Sequence, residues 1–287
     1  MPAELIRLRD AQLTIDDGVA EFSHQRPAAR NALSLGMRAD YADMLDRVEA
    51  DRSIRALIVT GSGSSFCAGG DLKSIKDARA ASQPEGGLPD AMRRRVLDGH
   101  KWMQRLRNLE IPVIAAVDGP AAGAGFSVAL AADFVLASHR AFFCMSFAKV
   151  GLVPDLGAFY LLPRVVGMSA AKELMMTARR VGAEEAMRLG IVHAIHPAES
   201  LAARAWQFAR RFLDAPREAI GLSKRLLNQS FESHYGPLAD LECSAQAIAA
   251  AAPYHTAAVD AFLAGEPPRF DWDRLERQAS PVHSESN

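Results

Sequence analysis

The sequence predicts an α/β protein built from repeated strand and helix units, and three observations carry that prediction. Short β-branched apolar runs alternate with amphipathic stretches through the first two thirds of the chain. Two of those strands lead directly into loops of very small residues, each followed by a helical run. Beyond Pro197 the period is helical throughout, with no further strand candidate.

Taken in order, "GVAEFSH" and "IRALIVTG" read as strands. Between them "SLGMRADYADMLDRVEAD" predicts a helix that places Leu35, Met37, Tyr41, Met44, Leu45 and Val48 on one face. "IPVIAAVDGP", "FVLAS" and "AFFCM" read as further buried strands, adjoining the helical runs "GFSVALAA" and "SAAKELMMTA". Residues 76–92, "KDARAASQPEGGLPDAM", show no periodicity and read as a long loop of the kind that covers a site. We expect an α/β core over 1–197 and a helical oligomerisation domain over 198–287, ending in a disordered polar tail, "RQASPVHSESN". The Ala- and Leu-rich helices of that second domain expose more apolar face than one core needs, which points to a partner copy.

Composition excludes several classes of function. With 287 residues, 49% of them hydrophobic, the chain can bury a large core. Its 33 basic and 34 acidic residues balance, so no field exists to recruit nucleic acid or an anionic membrane, while a local basic patch for one small anion stays open. No apolar run approaches the ~18 residues that span a bilayer, and the N-terminus lacks a secretory pattern. Three scattered cysteines suit a reducing cytoplasm and neither a disulfide framework nor a metal cluster. There is no phosphate-cradling GxxxxGK[ST], and no GxGxxG opening a helix with the expected acidic partner, which disfavours nucleotide and hydride chemistry.

The two small-residue loops are "SSFCAGGDLK", Ser64 to Lys73, and "DGPAAGAGFSVAL", Asp118 to Leu130. Side by side, they could aim two main-chain N–H groups at one oxygen and stabilise an enolate or a tetrahedral intermediate. Close packing of helix on sheet is the alternative reason for such residues. In "VGLVPDLGAFYLLPRVVG" a single carboxylate, Asp155, sits in an otherwise apolar run. From periodicity alone it reads first as the cap of the next helix. Burial would raise its pKa toward neutrality, which suits proton transfer.

These segments, with "RPAARNALS" and "GAEEAMRLGIVHAI", resemble the crotonase superfamily, the enoyl-CoA hydratases and isomerases, over about two thirds of the chain in unbroken order. The resemblance implies a crotonase-like spiral of ββα units with a C-terminal helical trimerisation domain, assembly as a homotrimer or homohexamer, and an acyl-CoA thioester as substrate. It implies no cofactor beyond the CoA of the substrate and no metal. It also assigns the oxyanion hole to the N–H groups of Gly70 and Ala124, and CoA contacts to Ala28, Ala29, Arg30, Ala68 and Leu72. Ala28 stands where many relatives have a lysine, which removes a charge contact to CoA. The two glutamates of the hydratases fall on Ser127 and Phe147, neither of which can serve as that acid or base.

Asp155, by contrast, occupies the place of the catalytic carboxylate in ring-epoxide phenylacetyl-CoA and dienoyl-CoA isomerases and of the nucleophile in 4-chlorobenzoyl-CoA dehalogenases. His100 aligns with the histidine base of the latter but also reads as a partly exposed structural histidine. Those dehalogenases carry a tryptophan at Phe147. Phe126, Phe147 and Phe159 are expected to wall the acyl pocket. Cys67 reads as a packed thiol and Asp71 as a helix cap. The expected activity is isomerisation through an enolate; hydration by Asp155, hydrolytic dehalogenation with His100, and an inactive scaffold are the alternatives.

Overall fold

The computed structural model of the chain describes residues 3–81 and 87–279. Seven strands form the main sheet: β1 (Glu4–Arg7), β2 (Ala11–Asp16), β3 (Val19–His24), β4 (Ala56–Gly61), β5 (Val113–Val117), β7 (Phe134–Ser138) and β10 (Ala194–His196). The first three pair antiparallel, and from β3 onward every neighbour is parallel. A second sheet joins β6 (Pro120–Ala122), β8 (Phe142–Cys144) and β9 (Val181–Gly182). β1 and β2 were not anticipated; their outer residues are polar and partly exposed, which blurs the apolar signal that marks the inner strands.

Alternation along the inner strands divides the core in two. Leu57 and Val59, Val113 and Ala115 face one side, where α1 (Leu35–Ala50), α3 (Gly87–Asn108) and α4 (Ala124–Ala131) pack. Ala56, Ile58, Ile114 and Ala116 face the other, where Leu201, Ala205, Phe208 and Ala209 of α7 (Leu201–Arg210) cover them. The first helix past Pro197 thus belongs to the packing of the sheet. α8 (Arg217–Gln229) is tied to it by Lys224, whose buried ammonium donates to Asp133 at 2.6 Å and to the Ile111 carbonyl at 3.0 Å. α9 (Tyr235–Ala250) and α10 (Pro253–Leu263) bury no residue.

Two local expectations are corrected. Leu35 is 66% exposed, because it opens α1 ahead of the turn that meets the core, whereas Met37, Tyr41, Met44, Leu45 and Val48 are buried as expected. Residues 76–92 are not one loop: α2 (Leu72–Ala81) runs into them and α3 starts at Gly87, with residues 82–86 outside the described part. Lysine, arginine and alanine favour the helix here without apolar periodicity. Asp71 caps α2 as expected, accepting from the N–H groups of Lys73 and Ser74 at 3.1 and 3.3 Å. The tail from Ser280 lies outside the described residues, but α11 (Trp272–Ala279) takes in its first residues as helix.

Candidate active site

The two small-residue loops meet. Cys67 N–H donates to the Pro120 carbonyl at 3.0 Å and Ala122 N–H to the Cys67 carbonyl at 2.9 Å, so the strand-end segments lie side by side. Gly125 is required at this crossing, since a Cβ there would stand 2.3 Å from the Cys67 carbonyl oxygen. Close packing, one of the two alternative reasons for small residues, therefore holds at Gly125. A Cβ on Gly69 would stand 3.5 Å from Ala124 N, which locates the two loop tips against each other. Among the described residues, neither Gly70 N–H nor Ala124 N–H is donated to a main-chain acceptor. Ala124 opens α4, where the first amides of a helix have no partner within it and the dipole favours an anion.

The first loop is braced from behind. His24, fully buried, bonds to the Phe66 carbonyl at 3.0 Å through Nδ1 and to the Tyr41 hydroxyl at 2.8 Å through Nε2. Tyr41 in turn stacks on Trp102 with ring centres 4.3 Å apart. Cys67 is buried, which pushes its thiol up to about 12, so it stays protonated and packed at neutral pH.

The third component is the turn before α5 (Ala158–Thr177). Asp155 Oδ1 is buried and has no hydrogen-bond partner among the described residues. The side chain is not a cap: α5 begins after Gly157 with no side-chain capping bond, and only the main-chain oxygen of Asp155 accepts from Ala158 N–H, at 3.1 Å. Leu156, fully buried, has φ 50, a conformation costly for a branched side chain and held here by its surroundings. Burial raises the Asp155 carboxyl above its ordinary value, opposed by the positive potential of Arg38, His100 and Arg95.

Ser127, in place of a hydratase glutamate, donates its hydroxyl to the Asp155 main-chain oxygen at 2.9 Å and so anchors this turn to α4. Phe147, in a 3₁₀ turn over Ser146–Val150, is 8% exposed and stands beside the second loop, its Cε2 3.8 Å from where a Cβ on Gly123 would be. Phe126 has no exposed surface and packs on Phe143, so it belongs to the core rather than to the pocket wall. Phe159 is 59% exposed and His100 lies on the exposed side of α3.

Ala28 and Ala29 lie in an exposed 3₁₀ turn (Pro27–Ala29), and Arg30 follows in the left-handed region with φ 49. Asn31 fixes this turn by donating to the Ser62 and Ser65 carbonyls at 2.9 and 2.6 Å. The Arg30 carbonyl accepts from Ala68 N–H at 2.9 Å, which brings the turn to the first small-residue loop. Leu72 is 54% exposed at the start of α2. Arg38 and Arg95 were absent from the expected site. Arg38 sits beside core Met37 and three residues before core Tyr41, a charge at the edge of a buried register.

With this geometry in place, comparison with known proteins is informative. The profile of the Enoyl-CoA hydratase/isomerase family matches residues 14–270. The chain is 36% identical over 256 residues to 1,2-epoxyphenylacetyl-CoA isomerase of Escherichia coli, covering 89% of this chain and 96% of that protein. It is 32% identical over 213 residues to 4-chlorobenzoyl coenzyme A dehalogenase-2 of an Arthrobacter species, covering 74% of this chain and 75% of that one. The crystal structure of an enoyl-CoA hydratase/isomerase from Cupriavidus metallidurans superposes with a TM-score of 0.86 at 40% identity, covering 92% of this chain and 97% of the other.

Proposed function

The chain belongs to the enoyl-CoA hydratase/isomerase family, and we propose that it is an isomerase of acyl-CoA thioesters in which Asp155 carries the proton. One observation supports this reading above the others: a buried carboxyl with an unpartnered oxygen and a raised pKa, in a turn that Ser127 ties to α4, the helix opened by the unused Ala124 amide, at a site where both hydratase glutamates are replaced. The thioester oxygen accepts from Gly70 and Ala124 N–H. Asp155 removes a proton from the acyl chain, the C–H electron pair moves into the conjugated system, and charge collects on that oxygen, where the two donors hold the enolate. The protonated Asp155 then returns the proton at a different carbon, so the double bond has moved and no atom is gained or lost. In a ring-epoxide substrate the same acid would assist opening of the C–O bond. CoA enters as part of the substrate, over the turn at Ala28, Ala29 and Arg30, with Ala68 and Leu72 beside it.

The test is a panel of acyl-CoA thioesters incubated in heavy water and read by mass spectrometry. Isomerisation should proceed with deuterium exchange, and Asp155→Asn should lower turnover by ~10²–10⁴ with affinity little changed. His100→Gln should have a much smaller effect. An enzyme that adds water to the double bond, or an Asp155→Asn variant with full turnover, would sink the proposal. A covalent acyl adduct on Asp155 in His100→Gln would instead favour dehalogenase-like chemistry.

A further inference from the structure

Asp155 Oδ1, Arg38 Nε and Arg95 Nη2 are buried without a hydrogen-bond partner among the described residues. Arg38 comes from α1 and Arg95 from α3, and Arg38 Nη1 donates to the Arg95 carbonyl at 3.0 Å, which holds the two together. A Cβ on Gly99 would lie 2.5 Å from Leu156 Cδ2 and 3.7 Å from Arg38 Nη1, so the Arg38 head reaches the turn that carries Asp155. Both guanidinium groups act on the Asp155 carboxyl, and Arg95 also on Asp71, next to Gly70.

The charges at this place do not balance. Two guanidinium groups act on one carboxyl. The other carboxylates that act on the pair are engaged elsewhere, Asp98 with Lys101 at 2.7 Å and Asp71 with Arg26 at 3.0 Å. Burial, then repulsion from Arg95, brings Arg38 down to about 10. Partly buried cations that exceed their anions are costly unless a ligand supplies the missing charge, and a guanidinium fork matches a carboxylate.

We propose that Arg38 and Arg95 form an anion-binding end of the acyl pocket and that the substrate is a thioester whose acyl group bears a free carboxylate. The inference rests on the acyl-CoA reading above and narrows its substrate class. The carboxylate supplies the missing negative charge, and Asp155 addresses carbons between it and the thioester.

Calorimetric titration of the full-length protein tests this with succinyl-, glutaryl- and adipyl-CoA against butyryl-, pentanoyl- and hexanoyl-CoA, pairs that differ by a carboxylate in place of a methyl. At least one carboxylated member should bind tenfold or more tightly than its neutral partner. That ratio should fall toward one in Arg38→Met and in Arg95→Met and be partly kept in Arg38→Lys. The wild-type comparison stands even if a variant fails to fold. Neutral thioesters that bind as tightly as, or more tightly than, all three carboxylated ones would overturn the anion site while leaving the acyl-CoA reading intact. If no thioester bound more tightly than free CoA, the acyl-CoA reading would fall first.

Discussion

His24 shows how a single buried ring sets a pH limit. The Phe66 carbonyl can only accept, so Nδ1 carries the ring proton and Nε2 accepts from the Tyr41 hydroxyl. Burial lowers the His24 pKa from 6.5 to about 4, so below pH 6.5 the unfolded chain takes up a proton that the folded chain refuses. Stability contributed by neutral His24 is complete above pH 6.5 and is lost as pH falls toward 4, by about 2 kcal/mol between pH 7.5 and 5. Urea denaturation across that range should show the loss, and His24→Gln should flatten it. A wild-type midpoint unchanged from pH 7.5 to 5 would show that the ring is not held neutral. The same physics acts on Asp155 in the opposite sense, since there burial favours the protonated carboxyl.

Among the elements, α3 meets the Asp155 turn at Gly99. Gly99 leaves room for the Leu156 side chain, which a methyl group would approach to 2.5 Å. In Gly99→Ala, helix propensity gains about 1 kcal/mol while overpacking costs roughly 1–3 kcal/mol, so stability should fall by about 0–2 kcal/mol. Geometry should change more, because Leu156 is buried in a strained conformation and can yield only by moving the turn. We expect turnover to fall about tenfold, within the range that a small misplacement of a reacting group produces, with acyl-CoA affinity less affected. Steady-state kinetics beside thermal unfolding would check this. An unchanged turnover would mean that the contact does not position Asp155.

On the whole molecule, apolar surface collects on the C-terminal helices. Phe231, Tyr235, Phe262 and Leu263 are each more than three quarters exposed, and neither α9 nor α10 buries any residue. Such a face is stable in water when another copy covers it. We expect a homotrimer or homohexamer by light scattering at micromolar concentration, and dissociation in Phe262→Glu. A stable monomer would contradict the expectation. Net charge of −1 leaves no long-range repulsion to oppose assembly. Among the described residues, no helix is long and apolar enough to cross a membrane.

What the sequence determined by itself was largely local and periodic. Alternation and helical period marked the inner strands and α1, α4 and α7. The small-residue loops stood out because they lack side chains, and Asp155 because it is charged in an apolar run. Tertiary structure decided what each group faces. Asp155 reads as a possible cap until the backbone at Leu156 and Gly157 turns its side chain away from the helix start. Ser127 reads as a missing glutamate until its hydroxyl is found holding the Asp155 carbonyl. Arg38 and Arg95 carry no signal of their own in the sequence, and it is the meeting of α1 and α3 that brings them together. Periodicity reports which face of an element is buried, but which buried faces meet is settled by packing between segments distant in the chain, and the charges of this site lie on those meeting faces.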